Sequence, residues 1–158
     1  MIKDLDTKEG VKLLKENYIG HLSFIAHGRP YVLPITYFYD EANNAIISYS
    51  GEGHKLNSMR LNNSVSFQVG EIESANRWQS VLIHGIFEEL SGSDARYQLH
   101  QFATKVKDII EKKEKKDVNF ISEFSSKTSS DEIPTVYQLK IMEITGKFRR
   151  PDGNGSPI

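Results

Sequence analysis

The chain has 158 residues, no cysteine, 20 Lys plus Arg against 21 Asp plus Glu, and a formal net charge of −1. That length can bury a sizeable core in one domain, and the missing cysteines exclude disulfides, cysteine-based zinc sites and thiol catalysis. A near-zero balance argues against a strongly basic nucleic-acid binder.

The first residues, MIKDLDTKEG, are charged and contain no apolar signal region. No run approaches the roughly 20 apolar residues of a membrane span. The expectation is a cytoplasmic protein with one domain over 1–158, a helical insertion at 93–125 and a tail at 151–158.

Asp6 and Glu9 form a capping box ahead of a first helix, with Val11, Leu14 and Tyr18 on one face and Gly20 at its end. His21 to Ala26 reads as a strand and His27-Gly28-Arg29-Pro30 as a turn. Tyr31 to Tyr39 is extended and rich in β-branched and aromatic residues. Pro34 inside that run cannot donate to a ladder, so it predicts an edge, a bulge or an opening. Asp40 to Asn44 is a hairpin turn that returns as Ala45 to Ser50. A short helix runs from Lys55 to Leu61 and stops at Asn62-Asn63.

Ser64 to Gly70 alternates, with Val65, Phe67 and Val69 on one side. Glu71 to Asn76 reads as a polar loop, and Arg77 to Leu90 as a long strand bent at Gly85. After Ser91 a helix carries Ala95, Leu99, Phe102, Val106 and Ile109 at helical spacing. It runs out in the mixed-charge stretch EKKEKKD, residues 111–117. A short helical segment near Phe120 and Phe124 and a polar loop at 126–132 precede the last strand, Thr135 to Thr145. The apolar residues of that strand fall on both faces, which predicts cover on both. The loops between strands are too short for helical parallel crossovers. The fold class is therefore mainly β: an antiparallel sheet curled into a small barrel with flanking helices and closed by the C-terminal strand.

Three stretches carry candidate chemistry. In SYSGEGHKLNSMRLN, residues 48–62, two glycines and the basic pair His54-Lys55 precede a helix whose start already bears partial positive charge. The spacing fits neither a P-loop nor G-x-G-x-x-G. Flexible backbone, two cations, the hydroxyls of Ser48, Tyr49 and Ser50, and free helix amides converge there. That describes an anion site, with phosphate its commonest occupant; the competing reading is a solvated His-Lys pair on a surface loop. In RPYVLPITYFY, residues 29–39, the broken ladder at Pro34 offers backbone groups to a flat polar ring, unless the run is a plain core strand. In NRWQSVLIHG, residues 76–85, the only tryptophan, Trp78, stands beside Gln79 and Ser80 and suits ligand stacking, dimer packing or a half-buried strand end. The five histidines form no metal pattern, and KFRRPDG, residues 147–153, is a second anion contact or a solvated tail.

Three motifs together resemble one family. They are G-x-L-x-F-x-x-x-G-x-P-Y-x-x-P from Gly20 to Pro34, G-x-K-x-x-x-L represented by Gly53, Lys55 and Met59, and W-x-S-V-x-x-x-G from Trp78 to Gly85. With the final ITGKF at 144–148, their order and spacing resemble the pyridoxamine 5'-phosphate oxidase-like flavin-binding family, in particular its nitroimidazole-resistance branch. The resemblance implies a six-stranded antiparallel split β-barrel that dimerises with itself and binds FMN at the subunit interface. It places Val32, Leu33, Pro34, Ile35 and Thr36 along the isoalloxazine, and Tyr49, Ser50, His54 and Lys55 at the phosphate. Trp78, Gln79 and Ser80 reach the flavin from the second subunit. The chain has His54-Lys55 where pyridoxamine phosphate oxidase has an Arg-Lys pair, and it lacks that enzyme's C-terminal W-x…R-L-x-P pattern. The expected function is FMN-dependent oxidoreduction of a small molecule with a reduced nicotinamide donor. The alternative is a flavin or haem carrier or sensor without turnover. No side chain is nominated as a catalytic acid or base, because the flavin carries the chemistry; no metal, nucleic acid or membrane is expected.

Overall fold

A computed structural model describes residues 1–114 and 134–152. The expectations for Phe120, Phe124 and the 126–132 loop, and for most of the tail, lie outside the described residues. The elements are β1 (Ile2–Asp4), α1 (Thr7–Glu16), β2 (Ile19–Ala26), β3 (Arg29–Thr36), β4 (Phe38–Asp40), β5 (Ala45–Ser50), α2 (His54–Leu61), β6 (Ser64–Ser74), β7 (Arg77–Glu89), α3 (Gly92–Glu114) and β8 (Thr135–Arg149). They form one antiparallel sheet in the order β3-β2-β6-β7-β8-β5-β4, with β1 paired to β8. Six strands were expected; the run Tyr31 to Tyr39, read as one extended stretch, divides at Tyr37 into β3 and β4, and β1, three residues long, is too short to show a period of two, which brings the number to eight.

The curl follows from one connection. Strands β3 and β4 are joined by Tyr37 alone, yet they occupy opposite ends of the strand order. The sheet must bend until those ends approach, which makes the split barrel. Three hydrogen bonds hold the crossing: Tyr37 N–H to Tyr18 O at 2.9 Å, Tyr37 O–H to Leu14 O at 2.8 Å, and Ser48 Oγ–H to Thr36 O at 2.8 Å. Because β3 is an edge strand paired along its length to β2, the sheet tolerates Pro34, which lies opposite His21. The β2–β3 turn is tighter than expected: His27 (φ 52°) and Gly28 (φ 72°) alone make it, and Arg29 and Pro30 are already in the ladder.

Other boundaries also move. Helix α1 is capped as expected, Asp6 Oδ1 accepting from Glu9 N–H at 2.8 Å, but it ends at Glu16 and buries Gly10, Leu13 and Leu14 rather than a Val11-Leu14-Tyr18 face. Gly20 is a β2 residue: a Cβ there would lie 2.2 Å from Phe67 Cζ, so the position needs close approach and not a helix stop. The polar stretch Glu71 to Asn76 is mostly strand, with Glu71 opposite Gln79 and Ile72 opposite Trp78. Its polarity reflects exposure beyond the barrel, not lack of pairing. Strand β8 continues to Arg149, with an irregularity where partners jump from His84–Glu143 to Gly85–Ile141, next to the expected bend.

The barrel interior holds Leu22, Phe24, Phe67, Val81, Ile83, Leu56 and Met59 under Leu13 and Leu14 of α1. A second cluster packs Phe38, Ala45, Ile47 and Val136 against Phe102, Val106 and Ile110 of α3. Ile110, not Ile109, is buried, because the buried residues of α3 keep a strict four-residue step from Gln98. Gln98 donates to Asp40 Oδ2 at 2.9 Å and anchors the helix to β4. Cover on both faces of β8 holds only for its first third: Val136, Tyr137 and Leu139 are buried, while Met142 is 66% exposed. Among the described residues, no helix is long and apolar enough to cross a membrane.

Candidate functional site

The glycine loop leaves the end of β5 and enters α2. Gly53 is the N-cap, offers no side-chain cap, and is followed by no acidic residue in the first turn. The first amides of α2 therefore point out without side-chain acceptors. An added Cβ at Gly51 or Gly53 would meet nothing within 4 Å, so the loop is open on its outer side. Lys55 is half-buried, and desolvation is the cause that lowers its pKa. No carboxylate lies within ion-pair distance of it among the described residues. A cation held partly out of water without a counter-charge favours an incoming anion.

His54 is exposed, and its ring packs edge-on against Tyr31 (centroids 5.1 Å apart) and lies 5.8 Å from Phe24. Phe24 and Tyr31 stack at 5.4 Å. This aromatic trio joins β2, β3 and the start of α2, and it brings the β3 edge beside the anion loop.

The sequence-predicted residues separate into groups. On β3, Leu33 and Ile35 turn inward, while Val32, Pro34 and Thr36 share the outer face with Ser23, His21 and Ile19 of β2. Ser50 donates to Gly51 O at 2.9 Å and stays with the loop. Tyr49 does not join it: its ring packs on Phe102 of α3 at 4.9 Å, and burial raises its pKa. Ser48 turns to β3 instead, its hydroxyl donating to Thr36 O at 2.8 Å. Trp78, Gln79 and Ser80 lie at the far end of β7. Eleven residue steps along β7, up to about 36 Å, separate Trp78 from Glu89, the β7 residue that α2 touches through Arg60. One chain therefore does not bring them to Lys55. Of the three, Ser80 joins a hydrogen-bonded row on the outer face, where Gln68 Nε2 donates to Ser80 Oγ at 2.8 Å and Gln68 Oε1 lies 3.0 Å from His21 Nδ1, while Gln79, on the opposite face, donates to Glu71 Oε2 at 3.3 Å.

One feature of the loop left no local trace in the sequence. Arg60 of α2 forks two carboxylates, Glu52 at 2.6 and 2.8 Å and Glu89 at 2.6 and 3.2 Å. Thr135 donates to Glu52 Oε1 at 3.0 Å. Partners 8 and 29 residues away from Arg60 give no short-range pattern to read.

A cavity of about 740 Å³ lies elsewhere, between α1, β4 and α3, with Lys15, Phe38, Glu41, Lys105 and Asp108 among its lining residues. It shares no residue with the anion loop. Several of its charges are already paired, Lys15 with Glu41 at 2.8 Å and Lys112 with Asp108 at 3.1 Å, so the loop remains the better anion site.

Comparison with known proteins places this architecture. A family model described as pyridoxamine 5'-phosphate oxidase matches residues 6–148. The fold is similar to that of a FAD-binding protein from Mesorhizobium loti (24% identity, TM-score 0.72, covering 96% of this chain and 98% of the other). It is also similar to that of a candidate 5-nitroimidazole antibiotic resistance protein from Bacteroides thetaiotaomicron (17% identity, TM-score 0.67, 94% and 89%). An uncharacterised protein of Rhizobium meliloti (strain 1021) is 35% identical over 72 residues, 46% of each chain, so the match spans less than half of that relative. With the family model covering nearly all of the chain, this protein belongs to the pyridoxamine 5'-phosphate oxidase family.

Proposed function

We propose that the protein binds FMN in a homodimer and works as a flavin-dependent oxidoreductase. The observation that supports this most is Lys55: a half-buried lysine without a counter-ion among the described residues, at an uncapped helix start, beside an open glycine loop. Those residues suit the phosphate of a flavin nucleotide, with Lys55 and the first α2 amides as donors and the exposed His54 ring beside them. FMN and FAD share that phosphate, and FMN, whose phosphate is terminal and carries more charge, suits the cluster better. In this reading Val32, Pro34 and Thr36 lie along the ring system. When bound, the flavin supplies hydride transfer; the chain supplies binding, orientation and electrostatics.

The same geometry supports the homodimer. Trp78, Gln79 and Ser80 belong to the flavin site by family resemblance but stand far from Lys55 in their own chain. A second copy supplies them if the outer faces of β2, β3, β6 and β7 pack together. That face exposes Val32 (68%), Ile25 (47%) and Leu82 (37%) between short polar side chains. Val32→Glu, a charge forced into this contact, is expected to turn the dimer into monomers in sedimentation velocity and to lose flavin with it. Unchanged sedimentation argues against this face.

The purified protein is expected to show flavin absorption bands, and NADH or NADPH is expected to bleach them anaerobically. Flavin bands without bleaching favour a carrier. A Soret band, or no chromophore after adding FMN, contradicts the reading.

A further inference from the structure

We propose that Arg60 is a positioning residue for the flavin phosphate, acting through Glu52 to fix the glycine loop and to neutralise the carboxylate that the loop carries. The inference rests on the phosphate reading of that loop. Open space surrounds the position a Cβ would take at Gly51 and at Gly53, so no neighbour packs there to hold the backbone from that side, and Gly53 lacks a side-chain cap. The residue between them, Glu52, is tied twice by the Arg60 guanidinium and once by Thr135. Arg60 itself is held by Glu89 through Nε and Nη2. One planar group thus pins the loop to the end of β7, with Thr135 adding the start of β8, and its fork geometry is what makes arginine specific here.

The charge matters as much as the geometry. Glu52 stands three residues before Lys55, where a bare carboxylate would oppose an incoming phosphate. Hydrogen bonds from Arg60, then Thr135, hold its pKa down to about 2. Its folded value is depressed, so the ion pair is fully present above the ordinary carboxylate range and is lost only as pH falls toward 2. At neutral pH Glu52 stays charged, and removing Arg60 cannot be relieved by protonation. The ion pairs are solvent-exposed, so they add little to global stability; their effect is local order and local potential.

The test compares FMN with riboflavin, which has the same ring and ribityl chain but no phosphate. Flavin fluorescence titrations of the wild type, Arg60→Gln and Glu52→Gln/Arg60→Gln read the two dissociation constants. Arg60→Gln is expected to weaken FMN about tenfold while riboflavin changes less than about twofold, the size of effect one charge-assisted contact carries. Glu52→Gln in the same chain is expected to restore part of the loss by removing the uncompensated carboxylate. Hydrogen exchange of the amides at 51–54 in the apoprotein is expected to quicken in Arg60→Gln. Equal losses for FMN and riboflavin, or a FMN affinity unchanged in Arg60→Gln but weakened in Lys55→Met, overturn the role of Arg60 and leave the phosphate reading standing. A wild type that shows no preference for FMN over riboflavin defeats the phosphate reading, and the role of Arg60 with it.

Discussion

Lys55→Met is expected to weaken FMN binding by about 10- to 100-fold while leaving the apoprotein no less stable. A charge-assisted phosphate contact contributes about 1.5–3 kcal/mol, and each 1.4 kcal/mol is tenfold in the dissociation constant. Methionine keeps the apolar stem that Lys55 buries and removes the charge. The apoprotein gains from the change, because desolvation already lowers the Lys55 pKa in the folded state. Between that lowered value and the unfolded one, the folded apoprotein holds fewer protons than the unfolded chain, so its stability rises with pH across this window. Bound phosphate reverses the balance by favouring the ammonium form, so FMN affinity is expected to fall as pH rises through the Lys55 titration. Fluorescence titration and thermal melts of the apo form read both halves. An unchanged FMN dissociation constant, or a large fall in apo stability, argues against a functional lysine and for a structural one.

Phe67→Ala is expected to be the most damaging single change in the barrel, at about 3–5 kcal/mol. The ring is 1% exposed, packs edge-on against Tyr37 at 4.9 Å, and fills the space that the missing side chain of Gly20 leaves open. For a chain of this size each kcal/mol moves the melting temperature by about 2–4 °C. The loss also reaches the site. Tyr37 is the single residue that carries the chain from β3 to β4, and without Phe67 its ring loses the neighbour that holds it upright. Flavin affinity is therefore expected to drop along with stability, whereas Lys55→Met lowers affinity alone. Urea unfolding measures the first effect, and a value below about 1 kcal/mol contradicts this role for Phe67.

Much of this was legible in the sequence, for physical reasons that differ by element. Val65, Phe67 and Val69 alternate because one face of β6 is buried, and Asp6 and Glu9 are three apart because a cap reaches N3. The basic pair after two glycines stood out because helix starts repel cations. What stayed hidden depends on partners distant in the chain. Gly20 looks like a helix stop until Phe67 is placed against it. Glu71 to Asn76 looks like a loop because exposed strand and loop share a composition. Tyr49 looks like a loop hydroxyl beside Ser50, but its side of β5 is taken by Phe102. The Arg60 fork needs Glu89, which only the sheet brings near.

The most direct test is a crystal structure of the protein with FMN, and in it the position of the phosphorus. The phosphate is expected within hydrogen-bonding distance of Lys55 Nζ and the first amides of α2, with the ring system along β3 and Trp78 of a second copy nearby. A flavin seated instead in the cavity between α1, β4 and α3, or a phosphate that makes no contact with Lys55, would contradict the account.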